Sequence, residues 1–87
     1  MAERNVTVKN PHGLHARPAA LFVQKASSFS SSSITVVKDG QEVDAKSILA
    51  ILSLGVEPGT TITIRADGDN AEKAIAELAA ICEDTSI

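Results

Sequence analysis

The chain has no tryptophan and no tyrosine, and only two phenylalanines, Phe22 and Phe29, among its 87 residues. Without aromatic faces on which bases could stack, and with a formal net charge of −3, it is not built for direct nucleic-acid binding. A single cysteine, Cys82, excludes an internal disulfide and suits a reducing compartment. With His12 and His15 as the only histidines, no set of metal ligands at a recognised spacing exists, so no metal and no cofactor is expected. No apolar run approaches membrane-spanning length, and the first twenty residues hold no continuous apolar segment of the secretory kind. The expectation is a cytoplasmic protein without membrane insertion.

What is present is small and aliphatic: 13 Ala, 7 Val, 8 Ile and 6 Leu supply most of a 44% apolar fraction. A chain of this length supports one core, and residues 1–87 read as a single domain. Its charge is uneven. Arg4, Lys9, Arg17 and Lys25 stand against Glu3 in residues 1 to 25, whereas residues 67 to 87 carry six acids against Lys73.

Val6 and Val8 alternate with Asn5, Thr7 and Lys9 as in a half-buried strand, which Asn10-Pro11-His12-Gly13 then stops. From Ala16 to about Ser27, Ala16, Ala19, Ala20, Val23 and Ala26 recur at helical spacing, with Pro18 in the first turn. The serine run from Ser27 to Ser33 reads as a loop, with Phe29 turned back to the core. Ile34–Lys38 and Gln41–Asp44 flank Asp39-Gly40, a type I′ hairpin signal. Ser47 then caps a short, eight-residue helix that Gly55 ends, and Thr61–Arg65 alternate as a fourth strand closed by Ala66. In the last helix Ala71, Ala74, Ile75, Leu78, Ala79 and Cys82 form a stripe, Asp69 with Glu72 reads as a capping box, and Lys73 pairs with Glu77. The order β-α-β-β-α-β-α with one small core implies an α+β fold: a four-stranded antiparallel sheet with three helices on one face.

Two places carry chemistry. His15 stands immediately before a helix whose first N–H groups, those of Ala16 and Arg17, have no intrahelical partner and favour an anion. An imidazole nitrogen is a competent nucleophile near neutral pH, and Arg17 can supply a charge-assisted contact to phosphoryl oxygens. The plain alternative is a loop histidine beside a solvated arginine. Pro11, Gly13 and Pro18 argue against it, because three conformationally special residues are spent on one short loop. His12 reads as an exposed loop residue. The second place is Ser47, an N-cap followed by Ile48, Leu49, Ile51 and Leu52, too apolar for a short helix to bury on one side. A phosphate on Ser47 would leave the helix intact and change the charge beside this partner-docking patch.

Gly13-Leu14-His15-Ala16-Arg17-Pro18-Ala19, together with Lys46-Ser47-Ile48-Leu49 through Ser53-Leu54-Gly55-Val56, resembles the two motifs of the HPr family, the histidine-containing phosphocarriers of the bacterial sugar phosphotransferase system. The likeness covers essentially the whole chain. It implies the open-faced β-sandwich, and a phosphoryl-transfer intermediate rather than a free-standing catalyst. In such a carrier Nδ1 of His15 accepts a phosphoryl group from phosphorylated enzyme I and passes it to a sugar-specific enzyme IIA domain, and Arg17 stabilises the phosphohistidine. Mg²⁺ serves enzyme I. Ser47 corresponds to the site of HPr kinase/phosphorylase, whose product assists the catabolite control protein. The family expectation is a monomer. Two other readings stay open: a nitrogen-branch paralogue, and a regulatory module acting through Ser47.

Overall fold

Segments in which apolar and polar residues alternate form the sheet. The computed structural model describes residues 1–86, and in it β1 (Ala2–Thr7), β2 (Ser32–Lys38), β3 (Gln41–Asp44) and β4 (Thr61–Gly68) make one antiparallel sheet in the order β1-β4-β2-β3. Helices α1 (Ala16–Ser27), α2 (Ile48–Ser53) and α3 (Ala71–Glu83) complete the β-α-β-β-α-β-α order expected of the open-faced sandwich. Register explains the two faces. Val6 pairs with Ile62, Val36 with Ile64 and Ile34 with Ala66, and all six are buried beneath the helices. The opposite face is a polar ladder of in-register partners: Glu3 with Arg65 (2.6 Å), Asn5 with Thr63 (2.7 Å) and Thr7 with Thr61 (3.1 Å).

The helix stripe of α3 is as read: Ala74, Ile75, Leu78, Ala79 and Cys82 are buried. That of α1 is not. Its inward residues are Pro18, Ala19, Phe22 and Ala26, while Ala16 and Ala20 face solvent. Phe22, fully buried, fills the space that an all-alanine face would have left empty; replacing it with alanine would cost about 3–5 kcal/mol.

Other boundaries shift for local reasons. Ser32 and Ser33 belong to β2 rather than to a loop, because Ser32 is buried and its hydroxyl donates to the Asp69 carbonyl. β4 runs on from Ala66 to Gly68, pairing Asp67 and Gly68 with Ser33 and Ser32. Asp69 does not cap α3. The N-cap is Asn70 in the left-handed region, with no side-chain cap bond, since the chain turns there to leave β4. Glu77 reaches across to Lys25 of α1 (3.1 Å) rather than to Lys73. The hairpin is as read: Asp39 and Gly40 both have positive φ.

Candidate functional site

The loop between β1 and α1 is held from three sides. Val8, just past β1 but fully buried, exchanges backbone bonds with Thr60 and Gly59 (both 2.8 Å). Lys9 donates its amide to the Cys82 carbonyl (2.8 Å), and the buried Asn10 amide group donates to the Ile81 carbonyl (2.9 Å), closing the end of α3. Leu14 is a buried plug whose amide donates to the Val56 carbonyl (3.0 Å). Gly13, at φ +67, permits this approach: a Cβ there would lie 2.2 Å from the Val56 oxygen.

This clamp delivers His15 to the N-cap of α1 in extended conformation, with its side chain 37% exposed and making no capping bond. The next residue, Ala16, has φ +49, a strained value for a residue with a Cβ, worth about 1–2 kcal/mol. The first amides of α1 are thus left without a side-chain acceptor beside an open imidazole, and Pro18 has no amide to satisfy. Arg17 is exposed and takes part in no ion pair among the described residues; His12 is exposed, as read. The arrangement can receive an anion on the imidazole, against helix N–H groups and an unengaged guanidinium.

One residue beside His15 was not anticipated. Glu57 Oε1 lies 3.4 Å from Nε2 of His15. No periodic pattern marks it, but it is the sole acid in the stretch from Ala45 to Ala66, a signal the sequence does contain.

At the second place, Ser47 is the N-cap of α2, its hydroxyl accepting from the Ala50 amide (3.3 Å). The helix is six residues long, shorter than the eight read from sequence. Leu49 is 76% exposed, with Ile48 and Leu52 partly so. Ile51, grouped with these as a docking residue, is instead fully buried, anchoring α2 to the core. Lys38 of β2 donates to the Leu54 and Gly55 carbonyls (2.9 and 3.1 Å) at the far end of the helix. Lys46, next to Ser47, is turned away, spending its ammonium on the Phe29 and Ser32 carbonyls. The chain leaving α2 runs directly to Val56 and Glu57, which meet the His15 loop, so Ser47 caps the end of α2 remote in sequence from that meeting point, with about 9 Å of helix between.

A family model described as the PTS HPr component phosphorylation site matches residues 2–84. The chain belongs to the HPr family. It is 47% identical over 83 residues to the HPr-like protein Crh of Halalkalibacterium halodurans, covering 95% of this chain and 98% of that one. With the phosphocarrier protein HPr of Buchnera aphidicola it shares 43% over 81 residues, 93% of this chain and 94% of the relative. Among solved structures, HPr-C-His of Thermoanaerobacter tengcongensis superposes with a TM-score of 0.91 at 53% identity over 95% and 92% of the two chains. A structure of the HPr dimer from the same organism gives 0.74 at 53%, over 95% and 94%. The HPr fold and phosphocarrier class are therefore those of this chain. Among the described residues no cluster could hold a metal ion and no helix is long and apolar enough to cross a membrane. Burial pushes the Cys82 thiol up to about 12, with the neighbouring Glu83 carboxylate adding to the shift.

Proposed function

We propose that His15 is the phosphoryl acceptor and donor of this HPr-family carrier, taking the group from phosphorylated enzyme I and giving it to an enzyme IIA domain of the sugar branch. The observation that carries this reading is the uncapped N-terminus of α1 beside a half-exposed imidazole. A phosphoryl group on His15 brings close to two negative charges to that terminus, where backbone N–H groups of Ala16 and Arg17 and the Arg17 guanidinium meet them. The bond forms on an atom already held, so little reorganisation is needed on either transfer. Ile48, Leu49 and Leu52 form the apolar part of the docking face, and the carrier works as a cytoplasmic monomer, a single unit that offers one face in turn to each partner.

Incubation with phosphoenolpyruvate, Mg²⁺ and enzyme I, followed by intact mass, tests the reading. A single acid-labile phosphoryl gain, absent in His15→Ala, is expected. Gain on the His15→Ala variant would overturn the site, and a sedimentation mass of two chains in solution would overturn the monomer.

A second reading places regulation at Ser47. It is supported by the half-buried cap position next to an exposed apolar patch, and by a relative called HPr-like protein Crh. Phosphate on Ser47, placed there by HPr kinase/phosphorylase, would favour the helix start electrostatically while repelling enzyme I, and would create a surface for the catabolite control protein.

A further inference from the structure

The His15 imidazole has two nitrogens, and the structure treats them differently. Nε2 faces the Glu57 carboxylate at 3.4 Å. Nδ1, the nitrogen next to the ring's attachment point, makes no capping bond. Glu57 is not a loosely placed surface acid. Its own backbone packs on Gly13, where a Cβ would come within 2.9 Å of the Glu57 Cα, and the Leu14–Val56 backbone bond ties the two loops together one residue away. The side chain itself is 70% exposed, so the carboxylate keeps its solvation and costs little to hold there.

We propose that Glu57 is a positioning residue for phosphoryl transfer: its carboxylate holds the proton of neutral His15 on Nε2 and so leaves the lone pair on Nδ1 to take the phosphoryl group. The proposal rests on His15 being the carrier residue. The contact is an ion-pair distance rather than a hydrogen bond, so the effect is electrostatic. A carboxylate accepts only, the tautomer that carries its N–H on the nitrogen nearer the negative charge is the one stabilised, and the other nitrogen becomes the nucleophile. In the loading step the Nδ1 pair forms the N–P bond while the donor's bond to phosphorus breaks, its electron pair staying on the donor. Nε2 keeps its proton throughout, and the positive charge that develops on the ring faces Glu57. On delivery the N–P bond breaks with its pair returning to Nδ1. The neutral tautomer that results is already the one needed for the next loading, so no proton has to move between the two nitrogens from one cycle to the next.

The test measures tautomer and rate separately on Glu57→Ala and Glu57→Gln. With ¹⁵N-labelled imidazole under conditions where the ring is neutral, proton–nitrogen correlation spectra should show the Nε2–H form dominant in the parent. In Glu57→Ala the ratio should relax to that of a free histidine side chain measured alongside, and the initial rate of phosphoryl gain from phosphoenolpyruvate, Mg²⁺ and enzyme I should fall about two- to fivefold, the range of an exposed charged pair. Glu57→Gln keeps an acceptor oxygen and should recover most of both. An unchanged tautomer ratio in Glu57→Ala overturns the proposal, and a slower rate with an unchanged ratio does too, because it assigns Glu57 to docking. The spectra involve no phosphoryl transfer, so a parent that gains no phosphoryl group refutes the carrier reading by a different result.

Discussion

Replacing Gly13 with alanine separates the two loops that build the His15 site, and its cost can be worked from the structure. A left-handed φ of +67 costs alanine about 1 kcal/mol more than glycine. The added Cβ would lie 2.2 Å from the Val56 carbonyl oxygen, so the loops must part by roughly 1 Å to restore ordinary contact. That displacement stretches the 3.0 Å bond from the buried Leu14 amide to Val56 past a useful length, and an unsatisfied buried donor costs about 1–3 kcal/mol. The total is roughly 2–4 kcal/mol, a large share of the stability of a domain this size, and about 4–8 °C of Tm per kcal/mol. Gly59 supplies the control. It has φ +87 but nothing within 4 Å of a Cβ, so Gly59→Ala carries the backbone term alone, about 1 kcal/mol. Thermal unfolding of both variants isolates the close approach as their difference, and enzyme I-dependent phosphorylation should slow in Gly13→Ala even where it remains folded. If the two variants unfold within about 2 °C of each other, the Gly13 contact is not holding the site, and the reasoning fails.

Further outcomes concern Ser47, Lys38 and Cys82. Ser47→Ala should lose about 1 kcal/mol in denaturant unfolding, whereas Ser47→Asp should retain the cap but bind enzyme I more weakly in titration calorimetry; parent-like affinity in the aspartate variant would count against regulation by charge. Lys38→Met removes the two bonds that close α2 and should destabilise by about 1 kcal/mol, with amide exchange in Ile51–Leu54 rising before that in β4. Cys82 should resist a thiol reagent in the native state and react fully on unfolding. Its folded pKa of about 12 exceeds that of an unfolded thiol, so between pH 9 and 12 the folded state binds more protons, and stability falls as pH rises at up to about 1.4 kcal/mol per unit. A flat stability profile over that range in the parent, matching Cys82→Ala, would refute the assignment.

Much of the fold was legible because its signals are local. The period-two strands, the Asp39-Gly40 turn and the α3 stripe each depend on neighbours a few residues away. α1 was misread at Ala16 and Ala20 because a small residue fits a buried face and a solvent face equally well, whereas the bulk of Phe22 decides which way the helix turns. Ile51 was grouped with Leu49 since hydropathy cannot tell which side of a six-residue helix meets the core. His15, Arg17 and Ser47 stood out through turn and cap chemistry. Glu57 did not, for its relation to His15 exists only once Leu14 has found Val56, across some forty residues of chain.

The strand order sets a timetable for the site. β1 pairs with β4 alone, from Ala2 against Ala66 to Thr7 against Thr61, and the loop carrying His15 is fastened to Val56, Gly59, Thr60, Ile81 and Cys82. A ribosome thus adds the histidine well before it makes the residues that shape its surroundings; at common synthesis rates the interval is roughly 2–13 s. During that time the N-terminal segment has no sheet neighbour, and closing the span to β4 costs about 3–4 kcal/mol of chain entropy that only the finished core offsets. Interrupted translation products would carry the histidine but not its setting. Chemistry carried by the loop before α1 is thereby made conditional on the later arrival of β4 and α3.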